Sequence, residues 1–238
     1  MLRFKKGQEP NAFKQERKSG GTWAQTTSKN WHVRLLSEQA RLCAYCQRRI
    51  SSGTNPPMGS DMHVEHWVSQ HTGTQTMDWS NVLGVCSGDQ RKDTDVAKGE
   101  RHCDTHRGAF VRGGKHNPAL SLHPVIGKGQ DPATSLKYDS KGVVTAENDG
   151  DTLTLEDIEA LNLNATRLTK ARQAAYEALV RRLGNTTGSG TRYPLALLES
   201  EYARLAHKRW AIGPEQVQVL RYFIRRWAMK LHKKTLKP

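Results

Sequence analysis

The residues best suited to chemistry stand in "MHVEHWVSQ", 62–70, where Glu65 and His66 are adjacent. An acid beside a histidine is poor core material, and the neighbouring Val64 and Trp67 are apolar, so the pair is expected to be firmly held. Three uses are open to it: surface polarity, a metal site, or catalysis by an imidazole that exchanges protons near neutral pH. A second set is made of thiols. Cys43-Ala-Tyr-Cys46 has the two-residue gap that turns both sulfurs toward one ion, and Cys86 and Cys103 follow later. If the sixteen residues between Cys86 and Cys103 close on themselves, the two pairs form a tetrahedral four-thiolate zinc site. Such a site is structural, because no coordination position is left open. The alternatives are four unrelated thiols or a redox pair at Cys43 and Cys46; no βαβ pattern surrounds the pair, which weakens the redox reading.

These residues need elements to position them. "HVEHWV" and "NVLGVC" are short apolar runs that read as strands. Ahead of them, "SKNWHVRLLSEQARL" reads as a helix with Ser28 as its cap, running directly into "CAYC". "SSGTNPPMGS", "QHTGTQTMD" and the long charged "SGDQRKDTDVAKGERH" read as loops. Residues 1–27 are polar and read as an extended arm. "KYDSKGVVTAEND" reads as a hairpin turning near Gly142. From Thr154 the pattern becomes helical. Thr154 and Asp157 have capping-box spacing, Asn164 is placed to cap a helix that stops at Gly184, and Pro194 and Pro214 open two more. The expected organisation is an arm and lead-in helix over 1–41, a cysteine- and histidine-rich core over 42–126, and a linker with a helical region over 127–238.

Charge narrows the partners. The chain has 37 Lys and Arg against 23 Asp and Glu, a net charge of +14, which favours a polyanion such as nucleic acid. No apolar run reaches the length of a transmembrane helix, and "MLRFKKGQEP" lacks the apolar stretch of a signal peptide, so a cytoplasmic protein without a membrane partner is expected.

Taken in order, "CAYC", "VEHWVSQ", "SNVLGVC" and "CDTHRG" resemble the HNH, or ββα-metal, endonuclease module with its accompanying zinc site, over about residues 42–120. The wider chain is similar to the HNH proteins of Septu and retron-associated anti-phage defence, the PtuB type, through its basic arm, "HNPAL" and "LNLNATRLTKARQAAYEALVRRL". The fold implied is α+β, with a zinc-stapled ββα-metal core and helical flanks. The resemblance implies that Cys43, Cys46, Cys86 and Cys103 hold structural zinc and that His66 is the general base. It makes Glu65 and Asp104 the ligands of a catalytic Mg²⁺ or Mn²⁺, Asn81 the residue that orients the loop carrying the base, and Arg107 a phosphate contact. The family's last motif position is usually histidine or asparagine. Here it is Asp104, and His102 and His106 stand close by as alternative ligands.

The activity implied is metal-dependent hydrolysis of DNA. RNA is the alternative substrate, and a non-catalytic zinc module that binds nucleic acid is the rival reading. "GAFVRGGK" does not have Walker A spacing, so any control by ATP falls to a partner; the resemblance implies an ATPase of the PtuA type.

Overall fold

In the computed structural model, which describes residues 1, 3–20, 31–51, 62–68, 77–88, 98–112, 115–116, 119–187, 193–205 and 213–237, both apolar runs are strands. β1 (Met62–His66) pairs antiparallel with β2 (Val82–Cys86), His66 opposite Val82 and Met62 opposite Cys86. β2 is buried at every position, so the backbone groups on its far edge need partners inside the protein. Gln39 supplies them at Gly84: its Oε1 accepts from the Gly84 amide at 2.8 Å, and its Nε2 donates to the Gly84 carbonyl at 2.7 Å. The Ala44 amide donates to the same carbonyl at 3.1 Å. A two-stranded sheet is thereby closed by a side chain rather than by a third strand.

Two helices pack on β2. α1 (Asn11–Lys18) lies in the N-terminal segment, and α2 (His32–Glu38) precedes the first cysteine pair and packs on β2. α2 ends earlier than the apolar pattern suggests, because Ala40 and Arg41 take left-handed φ values of 50° and 58°. That reversal lets Leu42 bridge to Arg49 across the Cys43–Cys46 turn. Ser28, the expected cap, lies outside the described residues. So do most of the three expected loops. α3 (Cys103–Arg107) also packs on β2 and completes a strand–strand–helix unit.

The expected extended arm is corrected. Met1, Phe4 and Phe13 are buried, and the Phe4 amide donates to the Pro124 carbonyl at 2.8 Å. Phe13 meets Trp31 and Trp79 edge to face, each at 5.4 Å. Apolar residues spaced through a polar segment can be anchors that only a distant partner makes visible.

After two short strands, β3 (Val111–Arg112) and β4 (Lys115–His116), the chain forms α4 (Pro132–Ser135) and a hairpin of β5 (Leu136–Tyr138) and β6 (Val144–Ala146). Gly142 turns that hairpin at φ +83°, and a Cβ there would come within 2.1 Å of the Thr169 carbonyl. Four helices complete the described chain: α5 (Thr152–Ala160), α6 (Thr166–Thr187), α7 (Leu195–Arg204) and α8 (Val217–His232). Their caps differ from expectation. Asp151 caps α5 by accepting from the Thr154 amide, while Asp157 is buried and accepts from Ser121 and Leu122. Asn164 grips both backbone groups of Val144 instead of capping α6, which runs past Gly184. Tertiary demand for hydrogen bonds outweighed the expected capping pattern at Asp157 and Asn164.

One main core draws on the whole chain, joining Phe4 and Leu36 to Leu83 and Leu122 and to Leu136, Leu161 and Val219. A second joins Leu179, Leu198, Val217 and Ile224 among the last three helices. No helix among the described residues is long and apolar enough to cross a membrane.

His123 sits in this packing in its neutral form. Its Nδ1 accepts from the Val125 amide at 3.0 Å, and its ring lies 4.3 Å from that of Trp67. Burial first, then the charges of Lys128 and Arg3, push its pKa from 6.5 down to about 4. The unfolded chain therefore binds more protons between those values, and folding stability falls as pH drops through that window. Denaturant unfolding at pH 7 and pH 5 is expected to show that loss, and His123→Gln to show less of it.

Candidate functional site

The four cysteines come from three separate stretches. Cys43 and Cys46 flank a tight turn, Cys86 ends β2, and Cys103 begins α3 with a left-handed φ of 54°. That unusual backbone is held by a bond from the Cys103 amide to the Leu161 carbonyl at 2.8 Å. All four thiols are buried, and their sulfurs lie within 4.8 Å of one another. Cys43 to Cys103 is 3.9 Å and Cys46 to Cys86 is 3.6 Å. Disulfide sulfurs would lie about 2.05 Å apart. Four sulfurs bound tetrahedrally at about 2.3 Å from zinc are separated by about 3.8 Å, which these distances bracket. The donor set fits a closed zinc site, and the four buried cysteines could hold such an ion. Burial works against a thiolate at Cys46, but Cys103, Cys43, Cys86 and His102 stabilise it and hold its pKa well below the usual thiol range.

On the other side of α3 is a carboxylate pair. Alternation along β1 puts His63 and Glu65 on one face. Asp104, in the first turn of α3, has its Oδ2 3.2 Å from His63 Nδ1, and its carboxyl is near enough to Glu65 for the two to influence each other's charge. Burial pushes Glu65 up to about 8; the Arg107 guanidinium opposes this and the Asp104 charge adds to it. Burial also disfavours charge on Asp104, but hydrogen bonds from His63 and Glu65 outweigh it and lower its pKa. Two carboxyl groups this close share a proton unless a cation lies between them. Two hard oxygens are a donor set that suits Mg²⁺ or Mn²⁺, so the chemistry of the pair fits such an ion.

Arg107 is 1% exposed, so its donors serve the interior, where a phosphate contact had been expected. Its guanidinium pairs with Glu65, donates to the Tyr45 hydroxyl at 3.0 Å and the His66 carbonyl at 3.1 Å, and reaches the Trp67 carbonyl at 2.6 Å. Tyr45 lies between the first two cysteines, so this brace links the thiol cluster to the end of β1. Asn81 holds the same segment from the other side. Its Oδ1 accepts from the Val68 amide at 2.7 Å and its Nδ2 donates to the Val68 carbonyl at 3.0 Å. His66 itself stands on the alternate side of the pleat from Glu65 and is 5% exposed.

The alternatives to Asp104 face elsewhere. His102 Nδ1 lies 3.1 Å from the Glu100 carbonyl, and His106 Nδ1 lies 3.0 Å from the Ala160 carbonyl. Sequence reasoning left His63 unassigned, although its place two residues before Glu65 in a strand signalled a shared face. It also missed the brace at Tyr45, for which nothing local gave a signal. Comparison of the chain with family models and with curated proteins returns no match.

Metal analysis of the purified chain is expected to find zinc, and Cys46→Ser to lose both zinc and cooperative unfolding, since structural zinc contributes on the order of 10 kcal/mol of binding free energy. Arg107→Met takes the donors from the Tyr45 hydroxyl and from the His66 and Trp67 carbonyls, and is expected to cost about 3 kcal/mol or more in denaturant unfolding. A phosphate contact would instead lose nucleic-acid affinity at unchanged stability.

Proposed function

We propose that the protein is a metal-dependent HNH-type endonuclease that hydrolyses phosphodiester bonds in DNA. The observation that carries this reading is the meeting of Glu65 with Asp104, on a strand pair closed by a helix and beside the segment that Asn81 clamps behind His66. Glu65 and Asp104 would hold the divalent ion, which when bound neutralises charge on the phosphate and the leaving oxygen. His66 accepts the proton of the attacking water. Asn81 and Arg107 fix the backbone at and just after that histidine, which limits the poses its ring can take. His63 orients Asp104. The net charge of +14 supplies affinity for the polyanion without sequence information. The likeness to defence-system nucleases extends this reading to an effector acting with an ATPase partner.

Purified wild type and His66→Ala are compared on plasmid DNA and on RNA, with Mg²⁺ or Mn²⁺ and with EDTA. Metal-dependent nicking of DNA is expected from wild type, with His66→Ala slower by about a hundredfold or more and still folded. Cleavage of RNA alone would reassign the substrate. Binding of nucleic acid without cleavage, with or without an ATPase partner, would overturn the nuclease reading in favour of a binding module.

A further inference from the structure

Arg172, on α6, is a buried cation that the proposed function does not use. It is 5% exposed. One of its terminal nitrogens donates to the Leu163 carbonyl, and its Nε has no hydrogen-bond partner among the described residues. A guanidinium taken out of water without a nearby anion costs several kcal/mol. The group is held at the turn that contacts the thiol cluster. The turn between α5 and α6 wraps the Cys103 end of the thiol cluster. Leu161 accepts from the Cys103 amide at 2.8 Å, Asn162 donates to the Gly99 and Arg101 carbonyls at 2.8 and 2.7 Å, and Leu163 receives Arg172. Burial lowers the Arg172 pKa, and the groups that oppose it are the Tyr138 phenol and then the thiols of Cys46 and Cys103, which the buried α-amino group of Met1 also faces. Asp139 also acts on it, but that carboxylate is exposed and accepts from the Lys141 and Val143 amides in the hairpin turn.

One zinc ion held by four thiolates keeps two uncancelled negative charges. Buried in an apolar interior, that excess needs a partner as much as the arginine does. We propose that Arg172 is the counter-charge of the four-cysteine centre, joining α6 electrostatically to the metal so that metal retention and docking of the helical region depend on each other. This rests on the metal reading of the cysteines and is independent of the nuclease proposal.

The test uses the full chain loaded with zinc and measures zinc retention in competition with a chromogenic chelator. Arg172→Met keeps most of the volume and removes the charge. Arg172→Lys keeps the charge. Leu168→Ala, on the same helix and 1% exposed, calibrates how far lost packing alone weakens metal retention. Arg172→Met is expected to weaken zinc binding about tenfold or more beyond that calibration, in the range seen for groups that support metal ligands, and Arg172→Lys to recover most of the loss. The proposal is overturned if Arg172→Met falls on the Leu168→Ala calibration, or if Arg172→Lys behaves as Arg172→Met does. Wild type that binds no zinc would instead refute the metal reading of the cluster.

Discussion

Four buried sulfurs must stay within 4.8 Å of one another, although they come from a turn after α2, the end of β2 and the start of α3. Everything near the candidate site is placed by that convergence. With hydrophobic residues at 36% of the chain, apolar burial alone leaves this region thinly supported. Gathering three segments at one point does the work that a larger core does elsewhere. It sets α3 across β2 and so brings Asp104 to the face of β1 that carries His63 and Glu65.

Buried charge is the second constraint. The interior holds Arg107 and Arg172 together with the carboxyl of Glu65, and none of these is cheap to bury. Arg107 gathers Glu65, a tyrosine hydroxyl and two carbonyls onto one rigid fork, a geometry that lysine's single ammonium does not reproduce. The same group that limits the charge cost of Glu65 also fixes the backbone at His66 and Trp67. Structure and candidate chemistry are therefore coupled through one side chain, and Tyr45 extends the coupling to the thiol cluster.

The helical region is tied to this centre by specific bonds. Cys103 bonds to Leu161, Asn162 to Gly99 and Arg101, and the main core runs from Phe4 to Val219. A change at the thiol cluster thus bears on the docking of α5 and α6, and a change in those helices bears on the start of α3.

Much of the site was legible in the sequence because its signals are local. Cys-x-x-Cys spacing, two apolar runs and a cysteine before a short helix place the four thiols and the strand pair, since the required geometry spans only a few residues each. Asn81, singled out in the sequence, bonds to the backbone just after His66. What tertiary structure alone decided depends on partners far apart in the chain. Arg107 turned inward because Glu65 and Tyr45, 42 and 62 residues away, offered its fork an interior acceptor set. Asp157 and Asn164 left their expected caps for backbone groups 20 or more residues away. Phe4 and Phe13 turned a polar arm into packed structure. Spacing reveals which groups can meet locally, whereas desolvation forces a buried polar group toward whichever partner the fold brings to it.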